Sequence, residues 1–331
     1  MKKVILKLLT AGIKNNASQS TEELTLEHAI AQIDHVFGRD RMLQEFDADF
    51  TVPYYTQSEL GYRLYHSAED AVHMALNFDG VFDADGYQAQ PRMVAEQVDK
   101  LGGKKVLEVG CGKGFNSRFL AQQYPSSQFV GIDLTPHHVA LASRKVRNLT
   151  NLTFQIGDFN GLNFPSESFD LVFACECLCH SDQLPVTLAE LFRLLRPGGK
   201  LVIFDGYRQT KLENFSPEIQ TITQLTEVSM AIRQGFFEVE DFTEVAKNVG
   251  FALETKEDLT FAIQPTLSHL GGLSQLFFRS HWRSKLFTWL LPRYLVRNAV
   301  AGLLMPFTFN TNQGSLGYYK LIFKREEEGR I

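Results

Sequence analysis

From residue 105 onward, short apolar runs take turns with longer stretches in which apolar positions recur every three or four residues. Apolar runs bounded by glycine and acids read as buried strands, and the periodic stretches as amphipathic helices. Strands are expected near 105–109, 128–132, 152–156, 169–174 and 200–204, with helices at 114–123, 136–147 and 185–194. That alternation implies a parallel sheet with helices on both faces. Helical spacing returns at 217–233 and 239–249, and 251–257 and 317–324 read as two last strands.

Two regions depart from the alternation. Ahead of it, Ser20-Thr-Glu-Glu23 forms a capping box before Leu24, Leu26, Ile30, Ile33, Val36 and Phe37, which predicts one or two helices over 21–46. Residues 51–98 are aromatic and histidine-rich, with helical stretches expected at 58–65 and 90–100. Between the last two strands lies 260–315, long for a plain connection. It interleaves bulky apolar residues (Phe277, Phe278, Trp282, Phe287, Trp289, Leu304, Phe307) with Arg279, Arg283, Lys285, Arg293 and Arg297, and no Asp or Glu occurs from Leu259 through Arg325. This reads as a lid over an apolar ligand, as a peripheral membrane contact through 271–305, or as a cap or homodimer interface. No apolar run reaches the length of a membrane span. Residues 1–12 begin like a signal peptide, but Lys7 interrupts the apolar stretch and no clean cleavage pattern follows, so a flexible or amphipathic N-terminus is expected.

Composition is ordinary globular material: 331 residues, 44% hydrophobic, 21% charged. The net charge of −5 gives no global attraction to nucleic acid. Four cysteines in a chain this large argue for reduced thiols and a cytoplasmic setting, at most peripheral to a membrane. Cys175, Cys177 and Cys179 fall at every second position, which spreads them along a strand instead of wrapping an ion, so no metal site is expected.

The chemistry starts at Glu108-Val-Gly-Cys-Gly-Lys-Gly114. Glycines at every second position after an apolar run fit a tight turn opening a helix, where a ligand approaches backbone closely. A dinucleotide turn is spaced G-x-G-x-x-G and faces pyrophosphate. Here the spacing is shorter, and an acid before the first glycine repels pyrophosphate but suits a cation. Asp133 ends the second strand, where it could take two ribose hydroxyls, and Asp158 follows the third, placed to accept from an adenine amino group. Three acids and a glycine turn fit the cationic nucleoside S-adenosylmethionine.

With Gly131-Ile-Asp133, Gly157-Asp158-Phe159, Ser168-Phe-Asp170-Leu-Val172 and Leu195-Arg-Pro-Gly-Gly-Lys200 following in order, the chain resembles the class I S-adenosylmethionine-dependent methyltransferases over about residues 100–205. The resemblance implies an α/β fold: a Rossmann-like, doubly wound, seven-stranded, mostly parallel sheet, with an N-terminal helical extension and a helical insertion before the last strand. The expected division is 1–98 as extension over the active site, 99–258 as cofactor-binding core, 259–316 as lid, and 317–331 as final strand and tail. It also implies a cofactor set of Glu108, Gly110, Cys111, Gly112, Gly114, Asp133, Leu134, Asp158, Phe159 and Cys175, covered by Tyr54 and Tyr55.

Ala174-Cys-Glu-Cys-Leu-Cys-His-Ser181 ends the fourth strand, where ligands of open α/β sheets bind. It is similar to the matching segment of sterol C-24 methyltransferases, which carry a Glu followed four residues on by His, and which also place a Tyr-Tyr and an aromatic stretch before the core. Glu176 and His180 are therefore the candidate catalytic pair, and Tyr62, Tyr65, His66, His73 and Phe204 the candidate substrate contacts. Methylation of an alkene carbon leaves a carbocation, which aromatic faces stabilise and a base must deprotonate. The expected reaction is C-methylation of a hydrophobic small molecule, isoprenoid or sterol-like, with Mg²⁺ only if the acceptor carries a diphosphate. O- or N-methylation of a polar or aromatic metabolite is the alternative. A nucleic-acid substrate is not expected, since no Asn-Pro-Pro-Tyr-type motif follows the fourth strand.

Overall fold

A computed structural model describes residues 24–44, 51–67, 69–102 and 105–326. The capping box at Ser20–Glu23 and the signal-like segment lie outside the described residues. Helix α1 (Leu26–Val36) is capped instead by Thr25, whose hydroxyl accepts from the His28 N–H at 3.2 Å. It is followed by α2 (Arg39–Gln44), α3 (Thr51–Gly61), a π-helical turn Tyr62–His66, and α4 (Ala89–Leu101).

The sheet is the expected one. Strands β1 (Lys105–Val109), β2 (Gln128–Asp133), β3 (Leu152–Ile156), β4 (Phe169–Cys175), β5 (Leu195–Arg208), β6 (Phe251–Asp258) and β7 (Leu316–Arg325) lie in the order β3-β2-β1-β4-β5-β7-β6. The first five are parallel, and β7 runs antiparallel between β5 and β6. Helices α5 (Phe115–Gln123), α6 (Pro136–Lys145), α7 (Leu184–Leu194), α8 (Pro217–Ser229) and α9 (Val239–Val249) complete the core. Successive strand residues face opposite ways, so Val106, Phe129, Phe173 and Phe204 fill one side of the sheet while Leu107, Val109, Val172 and Phe323 fill the other. Strand order reverses between β1 and β4, the crevice where such sheets bind ligands.

The insertion folds as three helices, α10 (Thr260–Phe278), α11 (His281–Leu290) and α12 (Arg293–Thr308). Phe278, Val300, Leu303 and Leu304 from the insertion share a core with Ala29 and Ile33 of α1 and Ile222 and Leu225 of α8. Extension and insertion, far apart in sequence, thus form one helical layer above the carboxyl ends of the strands.

Candidate active site

The glycine turn leaves β1 with Gly110, Gly112 and Gly114 at φ of 66°, 51° and 76°. These are left-handed values that residues with a Cβ adopt only at a cost. At Gly110 space is a second constraint, because a Cβ there would stand 2.4 Å from Cys177 Cβ. Asp133 closes the turn from β2: its carboxylate accepts from Gly112 N–H at 2.8 Å and Thr135 N–H at 2.7 Å. Burial works against its charge, but His138 and the two N–H groups outweigh it and hold its pKa below the usual value.

The turn contains one cation, Lys113, and it is neutralised from outside. Its ammonium is buried between Glu59 of α3 at 3.4 Å and Asp70 at 3.1 Å. With Asp133 and the exposed Asp158 at the adjacent strand ends, the crevice keeps an excess of carboxylates. That donor set fits a cationic nucleoside and disfavours a pyrophosphate. Leu134 is exposed beside it, Phe159 half-buried, and Cys111 and Cys175 are buried beneath it.

Glu108 does not present a free carboxylate to this crevice. It is fully buried and accepts from Asn116 Nδ2 at 3.0 Å, Ser117 N at 3.1 Å and Ser117 Oγ at 2.5 Å. Its role is to tie β1 to the start of α5. Burial raises its pKa to about 7 against the pull of those hydrogen bonds.

Behind Val72, whose side chain stands against Gly112 of the turn, opens a cavity of about 620 Å³, within the usual range for small-molecule sites. One end is polar and aromatic: Tyr54, Tyr55, Tyr62, His66, Glu176, His180, Asp205 and Tyr318. The rest is mostly apolar and comes chiefly from the insertion, including Ile263, Leu273, Phe277, Phe287, Leu295 and Met305, with Arg279 and Arg283 at its far end.

Glu176 sits immediately past β4 with φ of 51°, an uncommon value for a residue with a Cβ. Its N–H donates to Phe204 O at 2.7 Å. The twist costs about 1–3 kcal/mol and turns the residue out of the strand's alternation to the cavity wall. Oε1 accepts from Met74 N–H at 2.6 Å and from the Tyr318 hydroxyl at 2.8 Å. Burial nonetheless raises the carboxyl to about 8.

His180 is held at both nitrogens. Nδ1 stands 3.1 Å from Ala231 O, and Nε2 stands 2.9 Å from the Tyr55 hydroxyl. A carbonyl only accepts, so Nδ1 carries the proton and Nε2 accepts from Tyr55. Burial lowers its pKa to about 4, so the ring is neutral. Ala231 is itself left-handed, at φ of 61°, which ends the helix expected over 217–233 at Ser229 and presents that carbonyl.

Two of the expected substrate contacts are elsewhere. Phe204 is fully buried in the sheet core and does not line the cavity; the next two residues of β5, Asp205 and Gly206, do. His73 is buried with one nitrogen at Met74 O (3.1 Å) and the other at Asn116 Oδ1 (3.0 Å), so it is a packing residue. Tyr62 and His66 do line the cavity, while the Tyr65 side chain lies outside the described residues. Tyr54 donates to Asn298 Oδ1 at 2.8 Å and so joins α3 to the insertion.

Asp205 and Tyr318 were missed from sequence. Asp205, whose pKa burial lifts to about 6, ends an apolar run at the carboxyl end of a strand, the same signal that marks Asp133. Tyr318 gives no comparable signal, being one of two tyrosines in a strand.

Among known proteins, residues 107–203 match the methyltransferase domain family. The sterol 24-C-methyltransferase of Saccharomyces cerevisiae is 28% identical over 200 residues, 56% of this chain and 52% of that one. Phosphoethanolamine N-methyltransferase 1 of Arabidopsis thaliana is 28% identical over 169 residues, 50% of this chain and 32% of that one. The chain thus spans about half the length, or less, of these curated relatives. Among solved structures, the [4+2]-cyclase SpnF superposes with a TM-score of 0.68 at 19% identity, covering 83% of this chain and 95% of that one. A cyclase on this fold means the fold alone does not decide the chemistry. The glycine turn, the strand-end acids and the domain match together make residues 107–203 a methyltransferase domain, in a chain that resembles the class I S-adenosylmethionine-dependent methyltransferases, the sterol C-24 enzymes among them.

Proposed function

We propose that the protein transfers a methyl group from S-adenosylmethionine to a carbon atom of a hydrophobic, isoprenoid- or sterol-like acceptor. The observation that carries this reading is the apolar cavity ending in Glu176, Tyr318, Tyr55 and His180 beside the glycine turn. The backbone of 110–114 with Asp133, Asp158 and Phe159 would hold the cofactor, and Tyr54 and Tyr55 would cover it. When bound, the cofactor supplies an activated methyl group on a cationic sulfur.

The chain's own residues then align the acceptor, stabilise charge and move one proton. Alignment contributes through the cavity's shape, worth up to ~7–11 kcal/mol in favourable cases. The rings of Tyr54, Tyr55 and Tyr62 lie mutually within 5.0–6.2 Å where contacts are made and offer faces to a developing carbocation. Glu176 is the better base of the pair. Both of its hydrogen bonds fall on Oε1, so Oε2 takes the proton, and a nearby cation lowers the carboxyl from about 8 toward neutrality. His180, at about 4 and with Nε2 accepting from Tyr55, is a positioning residue. Mg²⁺ belongs to this scheme only for a diphosphate acceptor.

The helices over 260–308 are the lid of this reading. Their acid-free face suits a peripheral membrane contact better than a homodimer, since a two-fold pairing would set its cations against themselves. The test is methyl transfer from labelled S-adenosylmethionine to sterols, prenyl diphosphates, squalene-type lipids and polar amines. Label in the apolar acceptors is expected; label only in a polar amine overturns the reading.

Tyr318→Phe provides a sharper check. The phenol favours the ionised form of Glu176, so its loss should move the acid limb of kcat/KM to higher pH. At neutral pH the rate should fall about tenfold, the scale of one hydrogen bond to a charged group, and recover as pH rises. A uniform loss at every pH would assign Tyr318 to packing instead.

A further inference from the structure

We infer that helix α11 docks on an anionic lipid surface and that the cavity opens onto that surface, so that an acceptor passes from the bilayer to Glu176 without crossing water. This deepens the proposed reading and rests on it for the acceptor, though the docking itself does not.

Of the residues that line the cavity, the exposed ones are Leu276, Arg279 and Arg283, among the described residues. The mouth is therefore at the end of α10 and the start of α11. Immediately around it stand the largest exposed apolar side chains of the protein, Trp282 at 69% and Trp289 at 81%, with Leu286 and Leu290. Tryptophan is the residue that settles at a membrane–water boundary, with its ring at headgroup level. Lys285, Arg283 and Arg279 lie among them, and the Arg283 guanidinium stands 6.0 Å from the Trp282 ring centre. A short helix with exposed indoles and cations is built to lie in an interface. It does not cross one: no helix among the described residues is long and apolar enough to span a membrane.

The charge selects the partner. The chain as a whole carries −5, yet no acid occurs from Leu259 through Arg325, so the insertion helices contribute only positive charge to this face. Anionic headgroups complement it, each nearby cation contributing a factor on the order of fivefold. Phe277, Phe287 and Leu291 continue the apolar lining inward from the mouth. An acceptor leaving the bilayer would pass Arg279 and Arg283 at the mouth and then meet a mostly apolar wall.

The chain's two tryptophans are both on α11, so selectively excited tryptophan fluorescence reports on this helix alone. With vesicles of phosphatidylcholine mixed with phosphatidylglycerol, the emission should shift to the blue and be quenched by lipids brominated on the acyl chain. Neutral phosphatidylcholine vesicles should give a weaker effect, and added salt should reverse the shift. In vesicle flotation, Trp282→Ala and Trp289→Ala should each weaken binding on the order of tenfold, and Lys285→Glu on the order of tenfold or more. None of the three should alter methyl transfer to a detergent-dispersed acceptor. No shift with anionic vesicles, or a blue shift that comes with protein concentration in the absence of lipid, overturns the inference, the latter in favour of self-association. A shift without any methyl transfer would leave the docking standing and remove the proposed reaction; methyl transfer without a shift would do the reverse.

Discussion

Replacing Glu176 by glutamine is expected to lower kcat by about 10²–10⁴-fold, the usual worth of a positioned base, while leaving cofactor affinity nearly unchanged. Glutamine keeps the shape and can still accept from Met74 N–H and the Tyr318 hydroxyl through its carbonyl oxygen. It tolerates the φ of 51° no worse than glutamate does. What it removes is the ability to take a proton at Oε2. Calorimetric titration with S-adenosylhomocysteine and single-turnover kinetics separate the two effects. A large loss of turnover with unchanged binding assigns Glu176 to proton removal. An unchanged kcat would sink that role, and His180 with its Tyr55 contact would have to carry the step despite a pKa near 4. Because the amide cannot ionise, Glu176→Gln should also be more stable than the parent at pH 8, which distinguishes a lost base from a damaged fold.

The frame of this protein is legible because parallel strands, buried on both faces, are written as apolar runs, and their ends as glycine or acid. That rule places Asp133 and Asp158 at the crevice, and applied consistently it also points to Asp205. It fails where the backbone departs from regularity. Phe204 reads as a substrate contact by proximity to the strand end, but it is fully covered by core neighbours, and the wall begins with the next residue, Asp205. Glu176 escapes that alternation only through its left-handed twist, which no periodicity announces. Glu108 carries the expected residue type for a cofactor ligand, yet Asn116 and Ser117, in the first turn of α5, absorb its carboxylate. The Tyr318 contact joins residues 142 apart in sequence, and the Tyr54–Asn298 bond residues 244 apart. The first pairing comes from the sheet order, which sets only β5 between β4 and β7, and the second from packing the extension against the insertion; each segment alone shows neither.

The buried titratable groups make stability fall with pH across the physiological range, by about 2 kcal/mol between pH 6.5 and pH 8. Burial lifts Glu176 to about 8, Glu108 to about 7 and Asp205 to about 6. Each therefore holds a proton in the folded state at a pH where the unfolded chain has released it. Where the native state binds more protons, stability declines as pH rises. The raised carboxyls contribute fully below about pH 4, and their contribution is lost as pH passes through the folded pKa. Histidine works the other way. His66 and His180 are lowered to about 4 by burial, so between about pH 4 and pH 7.5 the unfolded chain binds the extra protons and stability gains with rising pH. The two trends oppose each other over that range, and above about pH 6.5 the carboxyls outweigh the histidines, chiefly through Glu108 and Glu176. Urea unfolding at pH 6.5, 7.2 and 8.0 should show the decline, and Glu176→Gln should remove most of it. A flat profile would mean that Glu176 ionises near its ordinary value, and with it would go the poised base. A cationic ligand beside the carboxyl favours its charged form, so a sulfonium cofactor should stabilise the protein more at pH 8 than at pH 6.5, and the neutral thioether product should show less of that difference.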